Sequence, residues 1–520
     1  MKACTLCLTS ALVYCATGYE AAALRLVTEW QFADQTDVHN ELVIKTERLL
    51  MAGDAPYAVH ANVVDCRDLL AGTGVVFIVE GPTTQSRWSR NPDFTISGRS
   101  IVVHSNGFPV AALAYSGGDV GRLRAIRAHS RRQHPYNPKQ NGLMLSNTWG
   151  DRHRFGRINR ADMLREVDAA AALGVDVMQI DAGWAWVNEM PCEKVTGPLE
   201  WERYWKLPAG AWGVNTNRFP NGISEISAAA RAKGLSFGLW YAPDCSDDAS
   251  AWRRDADILL GLWREAGIRF FKIDFTSVHS KIGFDNERAF FDAVIDGSGG
   301  EVSFDLDVTG RVPRLGYFGA PRCGLFVENR YIRKNDGRLY FPHRTLRNLW
   351  ALSETVDPVR LRMEFMNPRR NPESYGGSPL APSKWPADAQ LATVLAASPL
   401  AWMDCVDIEP GTFAAWRPLI DTWKRERERW YGGVIAPIGA RPDGMSWTGF
   451  VSMAAEGHGG YALVFRELSE DVEHVFDLRP YFGLQTADPV LLAGRGTAVL
   501  REGRLTVKIP ASLDYVWVRF

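Results

Sequence analysis

The chain has 520 residues, 46% of them hydrophobic and 23% charged, with a net charge of −1 at pH 7. That length exceeds what one compact core holds, so two or three domains are expected. Charges of both signs are spread along the chain without a polybasic block, which argues against nucleic acid or an anionic membrane surface as a partner, and no run of about 18 apolar residues offers a transmembrane helix.

The N-terminal stretch "MKACTLCLTSALVYCATG" has one early lysine, a moderately apolar run and a small residue near Ala16, in the loose shape of a signal peptide. Threonines and a serine interrupt its centre, and β-like alternation continues into "AAALRLVTEW". A cytoplasmic location is the expectation, with a secreted or periplasmic one the alternative if residues 1–18 are cleaved. The eight cysteines (Cys4, Cys7, Cys15, Cys66, Cys192, Cys245, Cys323, Cys405) are scattered. Only Cys4 and Cys7 form a CxxC, with no second pair or nearby histidines, so neither a metal site nor a disulfide framework is expected.

Residues 1–138 read as an antiparallel β domain of short alternating runs such as "ELVIKTERLLMA" and "GVVFIVEG", with few helical signals. "SRRQHPYNPKQNG" (130–142) reads as a linker. Strand-like and helical segments then alternate: "GLMLSNTW" (142–149), "VDVMQID" (175–181), "LSFGLWY" (235–241), "IRFFKIDF" (268–275), "EVSFDLDV" (301–308), "GLFVEN" (324–329), "LRMEFMN" (361–367) and "PLAWMDCVD" (399–407). The segments between are amphipathic, as in "NRADMLREVDAAAALG", where Asn159 can cap the start and Gly174 the end. Eight such units predict a (β/α)8 barrel over 139–432, ahead of a doubly wound open sheet, which would want a glycine-rich phosphate loop. Alternation returns in "GYALVFRELS" and "DYVWVRF", so 433–520 reads as a C-terminal β-sandwich. The expected architecture is thus multidomain, a central barrel flanked by two β domains.

In a barrel, chemistry gathers at the C-terminal ends of the strands. Here those ends carry Asn147, Trp149 and Asp151; Asp181 and Trp184; Trp240 and Asp244; Lys272 and Asp274; Asp305 and Asp307; Glu328 and Asn329; Glu364 and Asn367; Asp404 and Asp407. Any one of them is explained by a cap or a loop salt bridge. All eight together suit a polyhydroxylated ligand, with carboxylates and amides for hydroxyls and indoles for ring faces. The 19 tryptophans allow both that reading and plain core filling.

"FFKIDF" (270–275) puts Lys272 and Asp274 inside an apolar strand, on the same side of it. Breaking a glycosidic bond with retention takes two carboxyls roughly 5–5.5 Å apart. Asp274 and Glu328, at the tips of the fourth and sixth strands, are placed to face each other, with Asp305, Asp307 and Asp336 as rivals to Glu328. Lys272 would keep Asp274 ionised or bind a hydroxyl; the alternative is a buried structural ion pair between the two.

"RFPNGISEISAAARAKGLSFGLWYAP" followed by "GIRFFKIDF", with "MQIDAGW" (178–184) upstream, resembles the melibiase-type retaining α-galactosidases of glycoside hydrolase families 27 and 36. The resemblance spans roughly 140–410 and preserves the order of strands 2, 3 and 4. It implies Asp274 as nucleophile, Glu328 as acid/base, and Asp181, Trp184, Trp240 and Lys272 as substrate-binding residues. Trp149, Asp307 and Asn329 complete the expected binding set. Two departures stand out. Glu328 is one methylene longer than the family's aspartate, and Ala182 replaces a second hydroxyl-binding aspartate, which leaves open an altered α-glycoside such as an N-acetylgalactosaminide or a pentopyranoside. Asp305 or Asp307 is available to make the missing contact.

The expected function is retaining exo-hydrolysis of terminal α-galactosides or a related α-glycoside, with no cofactor and no metal. The expected partner is an oligosaccharide or glycoside substrate, with no nucleic acid and no membrane; a homo-oligomer is left open. The alternatives are a transglycosidase of the raffinose-synthase type, using Trp186, Trp201 or Trp212 at the acceptor site, and a carbohydrate-binding relative without turnover.

Overall fold

The computed structural model describes residues 12–14, 25–34, 36, 41–98, 100–150, 155–189, 206–208, 210–309, 314–328, 330, 339–370, 372–454, 459–483 and 486–520. Its centre is a closed parallel barrel with strands in chain order: strand 1 Leu145–Asn147, strand 2 Val177–Ile180, strand 3 Ser236–Tyr241, strand 4 Phe270–Ile273, strand 5 Ser303–Asp307, strand 6 Gly324–Phe326, strand 7 Leu361–Phe365 and strand 8 Ser398–Ala401. Each overlaps the stretch expected of it. Strand 8 pairs back onto strand 1 through Leu145↔Leu400 and Ser146↔Ala401, which closes the ring.

The crossover segments form helices for the reasons their sequences give. In Arg160–Leu173, the Asn159 side chain accepts from the Asp162 amide at 3.1 Å, and Gly174 ends the helix in the left-handed region at φ 94°. Helix Trp252–Ala266 ends the same way at Gly267, φ 68°. The barrel holds its own apolar layer of Leu145, Val177, Phe270, Phe326, Leu400 and Trp402. The opposite faces of the strands (Met178, Ile180, Phe271, Ile273) belong to the cluster shared with the helices.

Upstream lies an antiparallel five-stranded sheet, in the order Val43–Leu50, Arg25–Phe32, Val63–Asp68, Thr73–Val79, Val110–Ser116, beside a smaller four-stranded one. Downstream, a five-stranded and a three-stranded antiparallel sheet form the C-terminal part. One expectation fails. Residues 118–133 are a helix, Gly118–Gln133, so the β reading of 1–138 misses an element and the start of the expected linker is its last turn. Its buried side carries charge, which hides the apolar stripe. Arg122 pairs with Asp65 at 3.4 Å, Arg127 donates to the Ser353 and Ile435 carbonyls, and His129 meets Glu80 at 2.8 Å. Val120 and Leu123 of the same helix pack into the C-terminal core. No described helix is long and apolar enough to cross a membrane. Cys4, Cys7, Cys15 and Cys192 lie outside the described residues, as does most of the expected signal stretch.

Candidate active site

Alternation along strand 4 aims Phe270, Lys272 and Asp274 to one side and Phe271 and Ile273 to the other. Phe270 joins the layer inside the barrel, while Phe271 and Ile273 pack outward. Lys272 is 2% exposed, and its Nζ lies 3.2 Å from Asp181 Oδ2 and 3.4 Å from Asp307 Oδ2. The ammonium also sits 4.1 Å from the centre of the Phe326 ring and 5.0 Å from that of Trp402, two aromatic faces that favour a cation. Asp181 is further fixed by the Asn147 side-chain amide at 3.0 Å and, on Oδ1, by the Ala182 amide at 2.8 Å. Gly183 follows at φ 118°, where a Cβ would come within 2.8 Å of the Phe155 ring, so this turn admits only glycine.

Asp274 sits just past strand 4 and keeps 17% of its side chain exposed. Arg314 Nη1 donates to Oδ1 at 3.2 Å and the Phe275 amide to the same oxygen at 2.7 Å. Trp240 Nε1 donates to Oδ2 at 3.3 Å. The cation touching Asp274 among the described residues is thus Arg314. Lys272, expected to be its partner, instead bridges the carboxylates on either side. This corrects the structural pair considered for Lys272 with Asp274. An ammonium can approach two carboxylates at once, and Asp181 and Asp307 lie within its reach.

Asp307 ends strand 5, wholly buried. Its Oδ1 accepts from the Thr309 amide and hydroxyl at 2.8 and 2.6 Å, while Oδ2 has no hydrogen-bond partner among the described residues. Burial and the nearby Asp274 charge push its carboxyl up to about 6, against the pull of Lys272 and Arg314.

An aromatic group supports this arrangement. Trp212 packs on Trp184, Trp240 and Tyr241 with ring centres 6.0, 5.7 and 4.1 Å away. Trp184 Nε1 donates to the Trp240 carbonyl at 2.8 Å, and Trp240 meets the Phe275 edge at 6.2 Å. Trp212, considered an acceptor-site residue, is therefore part of the wall behind Trp240. Trp186 is half-buried, and Trp201 lies outside the described residues. Trp149 is half-buried beside Phe155 at 6.1 Å.

The sixth strand end differs most from expectation. Glu328 is fully buried; Thr345 Oγ1 donates to its Oε2 at 2.8 Å and Asn348 Nδ2 to its Oε1 at 2.6 Å, both from helix Pro342–Leu352. Arg330 Nε is 3.6 Å from Oε1. None of these groups touches Asp274. Strand 6 stops at Phe326, so the in-and-out phase that would carry Glu328 inward no longer applies. Asn329, Asp336 and Asp151 lie outside the described residues. The rival Asp305 faces the barrel floor, paired with Arg362 at 3.0 Å. Asp404 and Asp407 accept from Arg157 at 3.1 and 2.7 Å, a loop salt bridge of the ordinary kind.

Two residues of the cluster escaped the sequence reading. Arg314 lies in no motif, 40 positions beyond Asp274, and nothing local distinguishes it from a surface arginine. Thr309 left a weak signal, as Asp307-x-Thr309 is a short polar turn of the kind that binds its own aspartate. The described residues contain no group of three or more His, Cys, Asp or Glu able to hold a metal ion.

A melibiase family model matches residues 108–265. Among curated proteins, a probable α-galactosidase G of Aspergillus terreus is 26% identical over 157 residues, covering 28% of this chain and 20% of that protein. The α-galactosidase AgaA of Geobacillus stearothermophilus is 26% identical over 115 residues, covering 22% of this chain and 14% of that protein. The matched stretches thus span a fifth or less of these two relatives. In structure, AgaA, a family 36 α-galactosidase, in complex with 1-deoxygalactonojirimycin, covers 98% of this chain and 76% of its own, with a TM-score of 0.68 and 11% identity. An α-galactosidase from Lactobacillus brevis gives 98%, 75%, 0.66 and 12%. The chain is similar to melibiase-type α-galactosidases in sequence over its middle and shares their fold over nearly all its length.

Proposed function

We propose that this protein is a retaining α-glycosidase acting on a terminal α-galactoside or closely related α-glycoside, with Asp274 as nucleophile. The observation that carries this reading is the Asp274 carboxylate itself, half-buried just past the end of strand 4 while three donors fix its two oxygens. Beneath it, Asp181, Lys272 and Asp307 offer acceptors and a cation for sugar hydroxyls. Attack by Asp274 on the anomeric carbon forms a glycosyl ester as the bond to the leaving oxygen breaks, and water later hydrolyses the ester. The melibiase match and the α-galactosidase relatives support the reaction class. Solved forms of AgaA hold raffinose and stachyose, which supports an oligosaccharide as the substrate. Ala182 keeps the glycone open.

The leaving oxygen must take a proton. Glu328 is the candidate by its place in the chain, and to serve it would have to leave Thr345 and Asn348. That burial favours a second reading, a carbohydrate-binding relative without turnover. A panel of aryl α-glycosides carrying galactose, N-acetylgalactosamine, arabinopyranose or glucose separates the two. Turnover of at least one, lost in Asp274→Gly and restored by azide, supports hydrolysis. Binding without turnover across the panel supports the second reading. Excess acceptor sugar, followed by product analysis, tests transglycosylation.

A further inference from the structure

The residue after Asp274 is held in an unfavourable shape. Phe275 has φ 54°, a left-handed conformation that an aromatic side chain rarely adopts. Such a turn persists only where its surroundings impose it. The next residues, up to Ser277, pass over the thiol of Cys245, which comes from the loop following strand 3. The Ser277 amide donates to Cys245 Sγ at 3.3 Å, and the Phe275 carbonyl lies 3.5 Å from the same sulfur. The thiol in turn donates to Glu287 Oε1 at 2.8 Å. Glu287 projects from helix Lys281–Gly297 and is 1% exposed, and its Oε2 has no hydrogen-bond partner among the described residues.

We infer that Glu287 and Cys245 are positioning residues for Asp274: Glu287 fixes the thiol, the thiol fixes the Phe275–Ser277 turn, and that turn delivers the Phe275 amide to Asp274 Oδ1. The proposal rests on Asp274 being the nucleophile. Neither residue touches the reacting atoms. Both groups can play this role near neutral pH, since Glu287 keeps an acceptor oxygen for the thiol whether or not it is protonated. Burial and the adjacent Glu287 push the Cys245 thiol far up, so it stays a protonated donor, and burial pushes Glu287 up to about 7. The same loop contains Asp247, Asp248 and Ala249, all at φ between 50° and 58°. Ser280 and Asn286, at the start of the helix carrying Glu287, bond to Asp248 at 2.7 and 2.9 Å. Three neighbouring segments thus lock together around the turn after the nucleophile.

The test compares Cys245→Ala and Glu287→Leu with the conservative Cys245→Ser and Glu287→Gln, using the best aryl α-glycoside of the panel. Misplacing a reacting group by about 1 Å can lower rate a hundredfold. Cys245→Ala and Glu287→Leu should therefore lose about 10- to 100-fold in kcat with KM changed less than about threefold. The conservative variants should recover most of that loss. Wild-type kcat in folded Cys245→Ala, or a loss confined to KM, overturns the proposal. Crystal structures of the four variants decide it without turnover. The Phe275 φ and the Phe275 amide to Asp274 Oδ1 contact should change in Cys245→Ala and persist in Cys245→Ser; if both persist in Cys245→Ala, the positioning role is wrong. A wild-type protein that turns over no glycoside refutes the glycosidase reading instead, while the crystal comparison still rules on the turn.

Discussion

The barrel contains two charged layers built on opposite principles. At the floor, Arg362 from strand 7 meets Asp305 from strand 5 through Nε and Nη2 at 3.0 and 3.4 Å, and its Nη1 donates to the Leu143 carbonyl at 2.5 Å. One cation is matched to one carboxylate, and the guanidinium fork has an acceptor on each arm. At the mouth, Asp181, Asp274 and Asp307 share Lys272 and Arg314; Asp307 Oδ2 faces the Lys272 ammonium at 3.4 Å without a hydrogen bond among the described residues, and the carboxyl is raised to about 6. The floor is satisfied, whereas among the described residues the mouth sets three carboxylates against two cations. An unbalanced cluster costs stability, and the fold keeps it at the end of the barrel where chemistry is done.

Removing the nucleophile should have the largest effect. Asp274→Gly should lower kcat by about 10⁴-fold, with azide restoring part of it as a glycosyl azide. Wild-type turnover in that variant on every active substrate would remove Asp274 from the mechanism. At the floor the loss should appear in stability instead. Asp305→Ala leaves Arg362 buried without its carboxylate, a change of about 3–5 kcal/mol. Its melting temperature should fall sharply while the KM of the surviving folded enzyme stays near wild type. A KM that rises with no loss of stability would mean that the floor pair belongs to the site.

Glu328 tests whether the sixth strand end belongs with the mouth or with the floor. Its contacts are of the floor type, two short hydrogen bonds from one helix and an arginine beside it. Glu328→Gln should therefore cost about 1–3 kcal/mol of stability, because the amide cannot accept from both Thr345 and Asn348. Turnover of an aryl glycoside with a good leaving group should stay within about tenfold. A general acid shows itself differently, since its loss weighs more heavily as the leaving group becomes more basic, by about 10²–10⁴ overall. A leaving-group-dependent loss with an unchanged melting temperature would make Glu328 the acid.

The sequence made the barrel readable because each of its units is local. A run of four to six apolar residues, a cap such as Asn159 and a stop such as Gly174 lie within about 20 positions of one another. "FFKIDF" was readable for the same reason, as period-2 alternation alone turns Lys272 and Asp274 inward. The helix Gly118–Gln133 was hidden because arginines occupy its buried face, each answered by a partner far away in the chain, such as the Ser353 and Ile435 carbonyls for Arg127. Arg314 was hidden likewise, as its role exists only once strands 4 and 5 lie side by side. Glu328 shows the limit of extrapolating a strand's phase beyond its last ladder residue. The tryptophans divide between the two readings: Trp30, Trp416, Trp423, Trp430 and Trp517 are fully buried away from the site, while the equally buried Trp240 donates to Asp274 and Trp402 lies beside Lys272.

The smallest expected effect is the one most specific to the mouth. Asp307 has a carboxyl raised from 3.8 to about 6, chiefly by burial and then by Asp274. Below about pH 4 it is protonated whether the chain is folded or not, and its titration then costs nothing. As pH rises from 4 to 6 the unfolded chain releases the proton while the folded protein retains it, so stability falls across that window and levels off above it. Asp307→Asn removes this dependence. At pH 7 it should be more stable than wild type by about 1–3 kcal/mol, and at pH 4 the difference should vanish. The gain should come with weaker substrate binding if Asp307 meets a sugar hydroxyl, seen as a rise in KM of about tenfold or more. Melting temperatures of the two proteins from pH 4 to 8 are the measurement. Parallel curves would show that the mouth is as well balanced as the floor. Curves that meet at low pH and diverge between 4 and 6 would show that the fold tolerates a strained acid where it binds its substrate.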